Sequence, residues 1–227
     1  MICFRVVDAQ WSSAPDLLNG IGASTGFGGR WNTTGIRTVY TGVAHETAIA
    51  EKSFYAMRQA VEVYNQQLLT TKGQPAHYLK QIVNRPFKIA TIKVHSTLTT
   101  ANLTDQNELT SHLASAGLPN RSITEARKSN FQLFPDRWTQ KLGLYLFQKN
   151  FQAIRVASAR SDVSDGCAIF SEKIKPEEIE VTNVTDVTLS AVTLSGNKYT
   201  GHHPADVNAI HFQFGLQQGT TPVLHVP

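Results

Sequence analysis

Four residues carry the chemistry this sequence offers: Arg30, Tyr40, Glu51 and the distant Ser158. Arg30 closes the run Gly26-Phe27-Gly28-Gly29-Arg30 and opens Arg30-Trp31-Asn32, Tyr40 follows ten residues on, and Glu51 ends Thr47-Ala48-Ile49-Ala50-Glu51. Glycines let a backbone approach a ligand closely. An arginine among them can hold a phosphate through two parallel hydrogen bonds. A nearby aromatic ring can face a base or a ribose, and a carboxylate can meet positive charge. Together these suit a phosphorylated ligand with a flat ring. The loop spacing fits neither a P-loop nor the dinucleotide-fold fingerprint. Each residue also has an ordinary reading. The loop could be a plain turn with a surface arginine, and a strand tyrosine is commonly half-buried structure. Glu51 could be solvated or ion-paired, and a lone serine is usually structural.

The elements that must position these residues follow from the hydrophobic pattern. Residues 2–7, 38–41 and 87–94 read as strands, the last from its clean alternation. Residues 24–34 read as a loop, which leaves Arg30 on a turn. A helix is predicted over residues 46–69, with Glu51 in its first or second turn beside the end of the Tyr40 strand. Shorter helices are predicted over 108–116, ended by Gly117 and Pro119, and over 138–149. Short strands at 153–157 and 167–170 flank a polar loop that carries Ser158 and Arg160, and residues 176–192 are β-rich. A mixed α+β domain with one core is the simplest assembly.

Composition bounds the function. Of 227 residues, 41% are hydrophobic and 17% charged, enough for a packed core. The net charge is +4 and the pI about 9.1, compatible with an anionic small ligand. Lys72, Lys80, Arg85, Lys88 and Lys93 are scattered and do not form a nucleic-acid track. Cys3 and Cys167 match no zinc spacing and read as buried thiols. His202-His203 read as a solvated loop, so no metal is expected. No apolar run approaches the roughly 18 residues of a membrane span. The N-terminal residues do not read as a signal peptide, and the cytoplasm is the expected compartment.

In order along the chain, these segments resemble the RES domain family, named for an arginine, a glutamate and a serine. Phe4-Arg5-Val6 resembles its opening strand, and Gly28-Gly29-Arg30-Trp31-Asn32-Thr33-Thr34-Gly35 followed by Val39-Tyr40 resembles its arginine loop. Thr47-Ala48-Ile49-Ala50-Glu51 resembles the glutamate helix, and Asn102-Leu103-Thr104-Asp105 a mid-domain segment. Ile154-Arg155-Val156-Ala157-Ser158-Ala159-Arg160 and Gly166-Cys167-Ala168-Ile169-Phe170 resemble the serine segment and the strand after it. Two positions depart from the pattern: Asn102 stands where aspartate is expected, and Ala157 where proline is common.

The resemblance covers residues 2–175. It implies a catalytic domain over 1–175; residues 176–227, to which nothing of the resemblance carries over, read as a β-rich extension packed on the same domain. It also implies an α+β, ADP-ribosyltransferase-like fold: a split mixed β-sheet with flanking helices and a cleft for NAD+. The implied activity cleaves the nicotinamide–ribose bond, as an NAD+ glycohydrolase or phosphorylase, in a toxin held by an antitoxin protein. NAD+ is then substrate and no separate cofactor is expected. The implied catalytic residues are Arg30, Tyr40, Glu51 and Ser158, with Gly29, Trp31, Asn32 and Arg160 joining Arg30 in binding. A mono-ADP-ribosyltransferase acting on protein is the nearest alternative, a non-enzymatic nucleotide- or nucleic-acid-binding module a more distant one. Self-association is left open.

Overall fold

The structure is a computed structural model. It describes residues 1–21, 28–49, 51–52, 86–95, 98–128, 137–159 and 164–187, and the backbone of 191–195, 198–202, 211–213 and 223–225. Seven strands form one mixed sheet. They are β1 (Ile2–Asp8), β2 (Thr38–Gly42), β3 (Phe87–Val94), β4 (Thr100–Asn102), β5 (Ala153–Ala157), β6 (Asp165–Phe170) and β7 (Ile179–Val187). Their order is β4-β5-β6-β2-β1-β3-β7, and the β4–β5 pair is parallel while the others are antiparallel. The extension after residue 175 thus supplies the edge strand β7. Beyond it, β8 (Ala191–Ser195) pairs with β9 (Lys198–His202), and β10 (His211–Gln213) with β11 (Val223–His225).

The sheet is split in the middle. β1 and β3 pair along their whole length, from Ile2↔Lys93 to Asp8↔Phe87, whereas β1 and β2 meet only at Phe4↔Gly42. This is the ADP-ribosyltransferase-like arrangement expected from the resemblance. One part is β4-β5-β6-β2, the other β1-β3-β7.

Period-2 alternation sorts the strands' side chains between two faces. On one face Ile154, Val156, Ala168 and Phe170 pack against Trp31, Leu103, Leu109, Leu113, Leu142 and Leu146. On the other, Cys3, Val39, Ala90, Ile92, Cys167 and Ile169 pack with Leu17. Both cysteines are free and buried there, as expected. Arg5 shares that second face, and its guanidinium donates to the Leu17 carbonyl. Burial pushes Arg5 down to about 10, so it stays charged at neutral pH.

Among the described residues, four α-helices cover the sheet besides the segment carrying Glu51. α1 (Ala14–Leu18), which the sequence pattern did not reveal, is capped by Ser13, whose Oγ accepts from the Asp16 amide at 3.4 Å. α2 (Gln106–Ser115) is capped by Asp105, whose carboxylate accepts from the amides of Asn107 at 2.7 Å and Glu108 at 3.1 Å. Asp105 therefore has a structural task. α3 (Ile123–Lys128) is also unforeseen, being short and polar, and α4 (Trp138–Gln148) follows it. The helix predicted over 46–69 is observed at 45–49 and 51–52; the rest of that prediction lies outside the described residues.

Candidate active site at the split of the sheet

The loop that carries Arg30 is fastened from three sides. Gly28 turns the chain at φ +75°, a conformation that favours glycine. Tyr40 on β2 places its hydroxyl under the loop, accepting from the Trp31 amide at 2.8 Å and donating to Asn32 Oδ1 at 2.7 Å. Asn32 is fully buried. Its Oδ1 also accepts from the Gly29 amide at 3.0 Å, and its Nδ2 donates to the Ile36 carbonyl at 2.8 Å. From α4, the buried Gln140 Nε2 donates to the carbonyls of Gly29 at 2.8 Å and Asn32 at 3.2 Å. The fit leaves no spare room: a Cβ at Gly29 would lie 2.5 Å from Tyr40 Oη, and one at Gly143 on α4 1.8 Å from the Trp31 carbonyl oxygen.

Trp31 is 1% exposed and packs edge-to-face on Trp138, with ring centroids 6.1 Å apart. The side chains of Trp31 and Asn32 are therefore turned into the protein, where they hold the loop. Arg30 points the other way, toward the end of β5. Its Nη2 reaches the Ala157 carbonyl at 3.4 Å, while Nη1 is buried without a hydrogen-bond partner among the described residues. A buried guanidinium nitrogen is costly to leave unmatched. It is a donor ready for an anion.

Glu51 enters from the far side of the split. Its helical segment runs along β1: His45 meets Phe4 edge-on at 4.0 Å, and Lys52 pairs with Asp8 at 2.8 Å while lying 5.2 Å from the Phe87 ring. Gly42 permits this seating, since a Cβ there would stand 2.6 Å from the Ala48 nitrogen. Ser158, just past β5 and 1% exposed, donates from Oγ to Glu51 Oε1 at 2.8 Å.

Arg30, Glu51 and Ser158 thus converge from three distant stretches of chain onto one face of the sheet, at the split. Tyr40 stands beside them with its hydroxyl engaged in holding the loop. Gly29 contributes its backbone, and Arg160 lies outside the described residues. An unpartnered cationic nitrogen on one side and a hydrogen-bonded carboxylate on the other can hold a phosphate and oppose developing positive charge.

Sequence reasoning missed Gln140. Its signal was available, as a polar residue on the inward face of a helix otherwise buried through Trp138, Leu142 and Leu146. Among the described residues no helix is long and apolar enough to cross a membrane, and no group of three or more histidine, cysteine, aspartate or glutamate side chains could hold a metal ion.

Comparisons with known proteins bear on the family and the fold. The RES domain profile matches residues 2–191, through β7. Seven chains of known structure match. One is from the crystal structure of the M. tuberculosis MbcT–MbcA toxin–antitoxin complex, with TM-score 0.54, 21% identity, and coverage of 82% of this chain and 84% of that one. No curated protein matches by sequence.

Proposed function

The chain belongs to the RES domain family, and on that premise we propose that it consumes NAD+ by breaking the nicotinamide–ribose bond, as a glycohydrolase or phosphorylase. The observation that carries this reading is the meeting of Arg30, Glu51 and Ser158 across the split sheet, with Arg30 Nη1 left for an anion.

Cleavage of an N-glycosidic bond to a cationic ring builds oxocarbenium charge on the ribose, as in sugar hydrolysis. Glu51 faces that charge, and Ser158 fixes the rotamer of its carboxylate. Arg30 grips the diphosphate, and its over-determined loop keeps the dinucleotide in a reactive pose. As the C1–N bond breaks, its electron pair returns to the pyridinium ring and nicotinamide leaves neutral, so no general acid is required. An oxygen of water or phosphate then forms the new bond to C1, giving ADP-ribose plus a proton, or ADP-ribose 1-phosphate.

The structural neighbour is a toxin bound to its antitoxin. We extend that role to this chain: a cytoplasmic toxin silenced by a protein that covers the cleft. The test is incubation with NAD+, with and without phosphate, while free nicotinamide and both sugar products are measured. Absence of nicotinamide release under both conditions overturns the reading. Label from NAD+ that ends on protein would identify a transferase instead.

A further inference from the structure

Glu51 and its neighbour Lys52 are anchored on opposite parts of the split sheet. Glu51 Oε1 accepts from Ser158 Oγ at 2.8 Å, just past β5. Lys52 faces the β1-β3-β7 part. Its Nζ donates to Asp8 Oδ2 at 2.8 Å, at the end of β1, and lies 5.2 Å from the centre of the Phe87 ring on β3. Successive residues of a helix point about 100° apart. Anchors on two successive residues therefore fix the rotation of this segment about its own axis, and with it the direction of the Glu51 carboxylate.

Asp8 is the less ordinary member of the pair. It is the N-cap of the short 3-10 turn Ala9–Trp11, where an aspartate usually accepts from a backbone amide of the turn. It makes no such bond, and its carboxylate is turned to Lys52 instead. A side chain that forgoes its local bond for a distant one is a break in local consistency of the kind that functional sites show. The place also lacks support from the sheet. β1 and β2 are paired at Phe4↔Gly42, and Asp8 lies four residues further along β1, about 13 Å away at ordinary strand rise. His45 against Phe4 marks the start of the segment's run along β1, and Lys52 on Asp8 marks its end.

We propose that Asp8 and Lys52 are positioning residues for the reaction, their ion pair setting the angle at which the Glu51 carboxylate meets the substrate ribose. This deepens the NAD+ reading and rests on it. Both residues act through Glu51: Asp8 holds Lys52, and Lys52 holds the turn of helix from which Glu51 projects.

Steady-state kinetics with NAD+ test it. Asp8→Asn removes the charge and keeps a residue suited to an N-cap. Lys52→Met removes the charge and keeps an apolar stem over Phe87. Each is expected to lower kcat about tenfold with KM unchanged, the mark of a contact that counts in the transition state. Each is expected to melt close to the native protein, because a partly exposed ion pair adds little stability. Lys52→Arg keeps the charge and is expected to retain the native kcat. In a Glu51→Gln background, Asp8→Asn is expected to bring no further loss, since a group that acts through Glu51 then has nothing left to position. If Asp8→Asn melts early, Lys52→Met and its combination with Glu51→Gln decide. A native kcat in well-folded Asp8→Asn or Lys52→Met, or a loss that persists undiminished in the Glu51→Gln background, overturns the positioning role and leaves the NAD+ reading intact. No nicotinamide release by the native protein overturns that reading and the positioning role together.

Discussion

The arginine side and the glutamate side of the site are built in different ways. The Arg30 loop is held by neutral, buried hydrogen bonds from Tyr40, Asn32 and Gln140, and by backbone contact with α4 at Gly143. Such networks are short-ranged, insensitive to salt, and costly to leave half-made. The Glu51 segment is held by an edge-on ring contact, one partly exposed ion pair and the Ser158 hydrogen bond. The arginine loop is thus held by a network of hydrogen bonds, whereas the described contacts of the Glu51 segment are few and separate. Substitutions on the first side should therefore cost stability and activity together, and those on the second should separate them.

Glu51→Gln separates them most sharply. Turnover of NAD+ is expected to fall by about 10²–10³-fold, the range for losing one electrostatic contact to a transition state. Circular dichroism and the melting temperature should stay native. Retained turnover would remove Glu51 from the chemistry. On the arginine side, Gly143→Ala drives a methyl into the Trp31 carbonyl. It is expected to cost at least about 3 kcal/mol by chemical denaturation. A near-native value would mean that α4 and the loop are less tightly coupled than their contact implies.

Gln140→Leu is gentler. It leaves the Gly29 and Asn32 carbonyls unmatched from α4, for an expected loss of about 2 kcal/mol. The loss should not change between low and high salt, and NAD+ KM should rise with it. Stability lost without any change in KM would show that the loop does not need this clamp to present Arg30. Lys52→Met is the smallest. Breaking a partly exposed ion pair is expected to cost under about 1 kcal/mol, and the difference should shrink as salt screens the pair. A larger, salt-independent loss would erase the contrast between the two sides.

Much of this architecture was legible in the sequence because it depends on local patterns. The alternation in Phe87–Val94 and Ala153–Ala157 placed those strands to the residue, and Trp138–Gln148 was found within one residue. α1 and α3 were missed because five or six residues are too few for a helical period to show. β4 was missed because three residues cannot alternate. Arg30, Glu51 and Ser158 were identified as a set, with Tyr40, because their segments resemble in order those of the RES family, and the fold brings those three to one place. Trp31 and Asn32, named with Arg30 for binding, prove to be turned inward. Neighbours in sequence on an irregular loop need not share a direction, and a sequence does not show which way each points.

By itself, then, the sequence determined the residue types at the site, the strands and helices that present them, and a charge balance suited to an anionic ligand. Those properties are set by each residue and its near neighbours. Only the tertiary structure decided that Tyr40 spends its hydroxyl on the loop, that Gln140 clamps it, and that Gly42 gives the start of the Glu51 segment its seat. The Gln140 clamp joins residues 111 apart in sequence, and even Tyr40, nine residues from Trp31, meets it through the way the loop folds back over β2, which no local pattern records.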